Sequence, residues 1–306
     1  MKVVKISNME FTPLEDEVCV AIGKFDGIHL GHQALIEESK NKGYKSGVLT
    51  FYPHPSIYLK HLQNYPLVTP IEHKIDIIKD MNVDYLIIME FNHMLATMPK
   101  DEFIKHLKRL NIKAIVCGHD FTFGDKALGN INDLAKEFDT HEVAKVTFDN
   151  VRVSSTYTRE LIFSGNVYEA AKMLGRRYSI RGEVVHGNKL GTINGFPTAN
   201  VDYGKYLLPK KGVYLVTVLI DGAEYLGMCN IGNNPTFNYS EIERMEVNIF
   251  NFKEKIYGKH IEVFFIDKIR NEKKFDSKKA LINQLKMDKR TCEEKYFEIM
   301  QKNIEK

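Results

Sequence analysis

The sequence predicts an α/β fold in two parts: a doubly wound parallel sheet, then an antiparallel sheet or small barrel with a terminal helix. Strand and helix signals alternate in the first half, which is typical of a doubly wound sheet. From Tyr178 onward, strand signals follow one another without helices between them. The length of 306 residues suits two domains of ordinary size. We therefore expect a first domain over residues 1–175 and a second over residues 176–306.

The first half contains short apolar runs that do not alternate with polar residues, as is typical of strands covered on both faces. These strand candidates are Val18–Ile22, Ser46–Phe51, Tyr85–Met89 and Ala114–Cys117. The helical signals between them cover Gly31–Lys40, Ile71–Met81 and Lys100–Leu110. A further helical stretch runs from Ser155 to about Leu174 and ends the first domain.

The second half carries a series of strand signals. They cover Ser179–His186, Val213–Ile220, Tyr225–Ile231, Glu246–Phe252 and Ile261–Ile269. Asp221-Gly222 stands between two of these runs and indicates a hairpin turn. Ser277 is a good N-cap for a last helix, in which Leu281 and Leu285 lie one turn apart.

Composition and charge limit the classes of function. The chain has 43 Lys and Arg against 40 Asp and Glu, and the basic residues are scattered, so we expect no nucleic-acid partner. No apolar run approaches membrane-spanning length, and the N-terminus lacks the apolar core of a signal peptide. Four widely spaced cysteines favour neither a disulfide framework nor a zinc site. These observations predict a cytoplasmic protein without a membrane partner.

The strongest local signal is the run GKFDGIHLGH, Gly23–His32, which lies where a strand ends and a helix starts. Open α/β sheets bind ligands at such points, and the free N–H groups of a helix N-terminus suit phosphate. Gly31 would let the chain approach a nucleotide closely. His29 and His32 could donate hydrogen bonds to phosphates as charge builds on them during displacement of pyrophosphate. The alternative is that these histidines are turn or helix-cap residues.

A glycine-rich loop opens the second half. Its run HGNKLGTINGFPTAN, His186–Asn200, places three glycines within nine residues, enough flexibility to wrap phosphates with backbone N–H groups. The run is neither a P-loop nor a Rossmann fingerprint. Its glycine content alone therefore indicates only a turn.

Several motifs recur in the order and at the spacing of one known family. In the first half they are Gly23–His32, Leu49–Pro55 (LTFYPHP), Gly118–Gly124 (GHDFTFG) and Ser154–Arg159 (SSTYTR). In the second half they are Gly195–Asn200 (GFPTAN), Glu246–Phe252, Tyr257-Gly258 and Ile269–Phe275. Over nearly its whole length, the sequence resembles the prokaryotic bifunctional riboflavin kinase/FMN adenylyltransferases, also called FAD synthetases. The resemblance implies an HxGH-type nucleotidyltransferase domain followed by an antiparallel β-barrel riboflavin kinase domain.

For the first domain, the resemblance implies transfer of an adenylyl group from ATP to FMN, which gives FAD and pyrophosphate. Ser155, Thr156 and Arg159 stand at a predicted helix start, where hydroxyls and a guanidinium can hold the leaving pyrophosphate. The alternatives are that Ser155 is a plain N-cap and that Phe121 and Phe123 are plain core. The resemblance implies catalytic roles for His29, His32 and Arg159, ATP or phosphate binding by Gly23, Phe25, Gly31, Ser155 and Thr156, and flavin binding by Asp120 and Phe121.

For the second domain, the resemblance implies phosphorylation of riboflavin to FMN. The general base should be a carboxylate, because a primary alcohol must lose its proton as it attacks the γ-phosphate of ATP. The family motif nominates Glu246, with an exposed surface glutamate as the alternative. For Arg270, a flavin or phosphate contact and a surface salt bridge are both open. The resemblance implies binding of Mg-ATP by Thr198 and Asn200, whose oxygens suit Mg²⁺, and ATP binding by Gly187 and Gly191.

The sequence also departs from the family pattern. Tyr52 replaces an acidic residue beside the presumed flavin pocket, and Thr192, Asn194 and Asn248 are unusual in the kinase half. The leading hypothesis is a bifunctional transferase that uses riboflavin, FMN and ATP and forms FMN and FAD. The main alternative is an FMN adenylyltransferase with a weak or inactive flavin-binding kinase module. A third is a flavin-sensing or RNA-binding regulator on the same folds.

Overall fold

A computed structural model describes residues 1–62, 64–187, 195–233 and 243–304. The chain divides into two compact units, Met1–Ser155 and Thr156–Lys306. This division falls at the start of the helical stretch that begins at Ser155, whereas the predicted domain boundary follows that stretch at residue 175. The boundary of the part that folds alone stays a prediction.

The first unit alternates strands and helices. Its strands are β1 (Lys2–Ile6), β2 (Val18–Ile22), β3 (Lys45–Tyr52), β4 (Tyr85–Glu90), β5 (Ile112–Gly118), β6 (Thr122–Phe123), β7 (Gly129–Asn130), β8 (Asp139–Val143), β9 (Thr147–Phe148) and β10 (Val151–Arg152). Its helices are α1 (Leu30–Lys40), α2 (Pro55–Leu59), α3 (Ile71–Asp80), α4 (His93–Ala96), α5 (Lys100–Arg109) and α6 (Ile131–Ala135). Six strands form one parallel sheet in the order β1-β4-β3-β2-β5-β8.

Both faces of this sheet are covered, which confirms the doubly wound fold. Side chains alternate between the faces along β2. Val18, Val20 and Ile22 pack into the cluster that contains apolar residues of α5 and α6. Cys19 and Ala21 pack into the opposite cluster, with apolar residues of α1 and α3. All five residues of β2 are buried, so the pattern is a continuous apolar run.

The edge strands β1 and β8 are absent from the sequence-based prediction. Both consist mainly of exposed or half-buried residues, because each has a neighbouring strand on one side only. Neither therefore has the buried apolar run that marks the inner strands.

The second unit is a closed antiparallel barrel with helices beside it. Its elements are α7 (Ser155–Ser164, which begins at the last residue of the first unit), α8 (Val167–Leu174), β11 (Tyr178–Val185), β12 (Ala199–Asp202), β13 (Gly212–Ile220), β14 (Ala223–Asn233), β15 (Glu243–Ile249), β16 (His260–Arg270) and α9 (Lys278–Ile304). The strand order around the barrel is β11-β12-β15-β14-β13-β16. This architecture confirms the predicted barrel and terminal helix.

Three local features refine the predicted elements of this unit. Gly165 has a φ of +89° and separates α7 from α8, where the sequence indicates one continuous helical stretch. The strand predicted to reach Phe252 ends at Ile249. The Asp221-Gly222 hairpin is confirmed, with φ values of +49° and +85° that suit a two-residue turn.

The barrel wall packs on both sides. Inside, the ring of Phe265 contacts those of Tyr178 and Tyr214, at centroid distances of 5.9 and 5.5 Å. Outside, Leu215 and Met228 form a cluster with Cys292 of α9 and other apolar residues. Ser277 caps α9, since its Oγ accepts a hydrogen bond from the N–H of Ala280 at 3.2 Å.

All four cysteines are free and buried, two in each unit. Burial raises the pKa of the Cys19 thiol to about 12 and that of Cys117 to about 11. It likewise raises the pKa of Cys229, and that of Cys292 to about 12.

In the ranges that the structure describes, no helix is long and apolar enough to cross a bilayer.

The position of the domain boundary can be tested by truncation. α8 packs on β11 and β16 and buries Val167, Ala170, Met173 and Leu174. We expect residues 156–306 to have a free energy of unfolding at least about 3 kcal/mol higher than residues 176–306, because the shorter piece exposes the surface that α8 covers. Urea denaturation of both pieces measures the difference. Equal stability would place the boundary at residue 175.

Candidate active sites

The loop that joins β2 to α1 lies at a point where the strand order of the sheet reverses. From β2 the chain proceeds to β3 and then β4 on one side, and β5 pairs with β2 on the other. In a parallel sheet the carboxyl ends of two such strands leave a crevice that binds ligands. The predicted phosphate loop, Gly23–His32, therefore lies at this crevice.

His29 is the N-cap of α1. Its Nδ1 accepts a hydrogen bond from the backbone N–H of His32 at 3.2 Å. The two imidazole rings stack, with centroids 3.6 Å apart and planes inclined by 15°. The helix-cap alternative is thus correct for His29, and the same contact brings the two histidines together. On its other side, His29 Nε2 lies 3.1 Å from Ser155 Oγ.

These contacts fix where the proton of His29 lies. Because Nδ1 accepts a hydrogen bond, a neutral ring carries its proton on Nε2. Nε2 then donates to the hydroxyl of Ser155, which can in turn donate to the carbonyl of Asp26 at 3.3 Å. The result is a series of hydrogen bonds that runs from the backbone N–H of His32 through the ring of His29 and the hydroxyl of Ser155 to the carbonyl of Asp26.

Phe25, Gly23 and Gly31 shape the same loop. Phe25 is fully buried, and its ring centroid lies 5.0 Å from that of His32. A Cβ at Gly23 would lie 3.3 Å from the Phe25 ring, and one at Gly31 would lie 3.2 Å from the His29 ring. The atoms nearest Gly31 therefore belong to His29, and close approach to a nucleotide stays a prediction for this glycine.

The helix α7 carries the predicted pyrophosphate-binding residues. The structure brings the side chain of Ser155, the first residue of α7, to His29. Thr156 is exposed and Arg159 half-buried, and both belong to the second unit.

Asp120 and Phe121 follow β5, at the same edge of the sheet as the histidine loop. Asp120 is exposed and accepts a hydrogen bond from Arg152 Nη2 at 2.9 Å. Phe121 is half-buried, and its ring stacks on Phe123 with centroids 5.9 Å apart. Phe121 thus packs against the core, in agreement with the core alternative.

In the barrel, strand register brings predicted kinase residues together. Glu246 on β15 is the direct partner of Asn200 on β12 and of Asn230 on β14. Directly paired residues of neighbouring strands project to the same side, so these three side chains form a polar row. Asn230 is also paired with Val213, which packs in the α9 cluster, so the row lies on the outer wall.

The glycine loop meets this row at Gly187. A Cβ on Gly187 would lie 2.1 Å from Asn200 Nδ2, so the amide of Asn200 rests against the bare Cα. Thr198 is half-buried just before β12. Gly191, Thr192 and Asn194 lie outside the described residues.

Glu246 differs from an exposed surface glutamate. It is half-buried, and burial raises the pKa of its carboxyl above the ordinary value of 4.5, while Arg244 acts in the opposite direction. A raised pKa makes the carboxylate a stronger proton acceptor. The environment therefore suits a general base.

Two more residues near this row have defined partners. The Nδ2 of Asn248 donates to the carbonyl of Pro197 at 2.6 Å, so this departure from the family pattern holds the PTAN segment. Arg270 donates to both carboxylate oxygens of Asp288 on α9, from Nε at 2.9 Å and from Nη2 at 2.7 Å. Asp288 is 2% exposed, so the pair is partly buried rather than a surface salt bridge.

Sequence reasoning misses the roles of Asp26 and Asn230. Asp26 lies within the quoted histidine motif and is buried, and its carboxylate accepts hydrogen bonds from the backbone N–H groups of Val68 and Thr69. Asn230 carries no local signal, because its position beside Glu246 depends on the pairing of β14 with β15.

The fold and the histidine loop define an HxGH-type α/β unit joined to a β-barrel unit. A family model described as FAD synthetase matches residues 12–157, and one described as riboflavin kinase matches residues 174–296. Together with the relatives described next, these matches show that the chain belongs to the bifunctional riboflavin kinase/FMN adenylyltransferase family.

Two relatives carry that name. The protein of Bacillus subtilis (strain 168) is 36% identical over 317 residues, which cover 99% of this chain and 100% of the relative. That of Listeria monocytogenes is 38% identical over 280 residues, covering 88% and 89%. A crystal structure from Streptococcus pneumoniae, described as a macrolide-efflux protein, superposes with a TM-score of 0.86 at 35% identity and covers 95% of this chain and 98% of that one.

The protonation of His29 can be tested by NMR. We expect long-range ¹H–¹⁵N spectra to show the proton on Nε2, because Nδ1 accepts from the backbone of α1. Ser155→Ala should shift the Nε2–H signal and lower the free energy of unfolding by about 1 kcal/mol, the usual contribution of one hydrogen bond. A ring with its proton on Nδ1 would contradict the chain of contacts.

Proposed function

We propose that this chain makes FAD from riboflavin in two ATP-dependent steps. The barrel unit phosphorylates riboflavin to FMN, and the parallel-sheet unit transfers an adenylyl group from ATP to FMN and releases pyrophosphate. We assign phosphorylation to residues 176–306 and adenylyl transfer to residues 1–175, a range that adds α7 and α8 to the residues of the first compact unit. The observation that supports the proposal best is the directed contact of His29 with Ser155 at the crevice end of β2.

In adenylyl transfer, a phosphate oxygen of FMN attacks the α-phosphorus of ATP as the bond to pyrophosphate breaks. Negative charge builds on the α- and β-phosphates. We propose that both histidines donate to these oxygens, beside the N-terminal dipole of α1, and that the N–H of His29 exchanges Ser155 Oγ for a phosphate oxygen when ATP is bound. The cap and the stacked rings orient both imidazoles before ATP binds, so the reaction does not have to reorient them.

The other residues predicted for adenylyl transfer bind the substrates. Ser155, Thr156 and Arg159 hold the leaving pyrophosphate, and Asp120 and Phe121 face the flavin nucleotide. Gly23, Phe25 and Gly31 bind ATP through the backbone of the loop that they shape.

In the kinase reaction, Glu246 accepts the proton of the ribityl hydroxyl while the oxygen attacks the γ-phosphorus of ATP, and the bond from that phosphorus to ADP breaks. The burial that raises the pKa of Glu246 supports this role. The carboxylate must be ionised to act, so FMN formation should fall as the pH drops through a value above 4.5. We also propose that Gly187 and Gly191 wrap the ATP phosphates and that Arg270 contacts flavin or phosphate beside Asp288.

We propose Mg²⁺ as the metal cofactor of the kinase reaction. The hydroxyl of Thr198 and the amide oxygen of Asn200 are hard oxygen donors of the kind that Mg²⁺ prefers. Asn200 lies beside Glu246 in the strand register, which fits a metal held close to the reacting phosphate. When bound, the ion would neutralise charge on the phosphate oxygens.

A cytoplasmic location stays a prediction, to be tested by cell fractionation.

The proposal is tested by incubating the purified full chain with riboflavin, ATP and Mg²⁺ and separating the flavins by chromatography. Formation of FMN and then FAD supports both steps. FAD from supplied FMN without FMN from riboflavin would instead support the adenylyltransferase alternative. If neither FMN nor FAD forms, the proposal is overturned. A gel shift with RNA would then favour the regulator.

In the same assay, His29→Ala should lower FAD formation from FMN by about a hundredfold or more, the usual loss on removing an oriented charge-stabilising donor. FMN formation from riboflavin by the same preparation should persist and serves as the control for folding of the barrel. Normal FAD formation would remove His29 from the mechanism.

Glu246→Gln should give the opposite result. Glutamine keeps the shape of the side chain but cannot accept the hydroxyl proton, so FMN formation should fall about a hundredfold to ten-thousandfold. FAD formation from supplied FMN should not change. Glu254→Gln, at an exposed position in the loop after β15, is the matched control. A loss of less than threefold would show that Glu246 is not the base.

A further inference from the structure

The loop between β2 and α1 has an unusual backbone. Phe25, Gly27 and Ile28 have φ values of +50°, +88° and +43°. Glycine adopts such values easily, but the bulky Phe25 and the β-branched Ile28 do so at a cost in conformational energy. Both side chains are fully buried. A backbone of this kind persists only where its surroundings hold it in place.

Two side chains connect this loop to α3 and to the segment that precedes α3. One belongs to the loop and the other to α3. From the loop, Asp26 Oδ1 accepts hydrogen bonds from the backbone N–H groups of Val68 and Thr69, at 3.0 and 3.2 Å. From α3, Lys74 Nζ donates to the backbone carbonyl of Lys24 at 2.7 Å.

The backbone carbonyl of Lys24 accepts more than the hydrogen bond from Lys74. It also accepts a hydrogen bond from Thr50 Oγ1 of β3, at 3.2 Å. Lys24 directly precedes Phe25, whose ring packs beside that of His32. A change in the position of this carbonyl therefore reaches the histidine pair through one buried aromatic side chain.

Lys74 occupies a position that is unfavourable for a lysine. Lys74 is only 4% exposed. Burial lowers the pKa of its ammonium from 10.5 to about 8, and the charge of Asp26 acts in the opposite direction. Because the folded-state pKa is the lower one, the free energy of unfolding rises with pH between about 8 and 10.5, and the full cost of burying the charge applies below pH 8. At neutral pH this lysine therefore lowers stability, which fits a residue retained for function.

We infer that Lys74 is a positioning residue for adenylyl transfer, which acts by holding the Lys24 carbonyl so that Phe25 and the His29–His32 pair keep their places. The inference rests on the proposed function, since it assigns the histidines to the transfer of the adenylyl group. Lys74 itself need not touch ATP or FMN. A lysine kept only for packing would be replaceable by an apolar side chain of similar length without loss of activity.

The test compares Lys74→Met with Lys79→Met in the full chain. Methionine matches lysine in length but cannot donate a hydrogen bond, and Lys79 is exposed on the same helix. For Lys74→Met, kcat for FAD formation should fall about tenfold to a hundredfold with a smaller change in KM, because the groups that act in the transition state are displaced. Its midpoint of thermal unfolding should be unchanged or higher. FMN formation, and both activities of Lys79→Met, should match the wild type.

Lys74→Gln completes the set, because its amide keeps an N–H donor without the buried charge. It should recover part of the lost FAD formation, and it replaces Lys74→Met in the comparison if that variant does not fold. FAD formation within twofold of wild type in Lys74→Met would overturn the inference. A loss that parallels a lower unfolding midpoint and disappears on cooling would also overturn it, by showing a structural role alone.

The imidazole NMR signals of His29 and His32 separate this inference from the proposed function. We expect both to shift in Lys74→Met and to stay in place in Lys79→Met. If the wild type makes no FAD, the proposed function fails, and the NMR comparison still decides whether Lys74 positions the pair. Unmoved signals would overturn the inference whatever the activity.

Discussion

The backbone between Gly23 and His29 must turn from the end of a fully buried strand into a helix within a few residues. It does so with positive φ at two bulky residues, so its shape depends on the contacts around it. The side chain of Asp26, the cap at His29 and the hydroxyl of Ser155 all act on this one stretch. The result is a pair of stacked imidazoles whose orientations, and the position of the His29 proton, are set before any ligand arrives.

The barrel arranges its polar groups by a different physical means. Regular antiparallel pairing, rather than a strained loop, places Asn200, Glu246 and Asn230 side by side. The cost here is desolvation, because a half-buried carboxylate is harder to ionise. The same desolvation makes the carboxylate a better base. The histidine site thus depends on a strained loop backbone, and the Glu246 site depends on a partly buried carboxylate.

Sequence patterns predict the parts of the fold that are decided locally. The apolar run of β2 and the Asp221-Gly222 hairpin belong to this group, because burial on both faces and positive φ leave clear residue signatures. The position of Asn230 beside Glu246 leaves none, since it arises from the pairing of strands far apart in the chain. The family motif predicts the role of Glu246. Periodicity alone does not distinguish it from a surface residue.

The buried cysteines give each unit its own chemical reporters of opening. Thiol reagents attack the thiolate, and burial both shields these sulfurs and suppresses their ionisation. Cys19 and Cys117 lie in the parallel sheet, whereas Cys229 and Cys292 belong to the barrel and its helix. A pulse of alkylating reagent followed by peptide mapping would therefore record which unit opens first, without any introduced label.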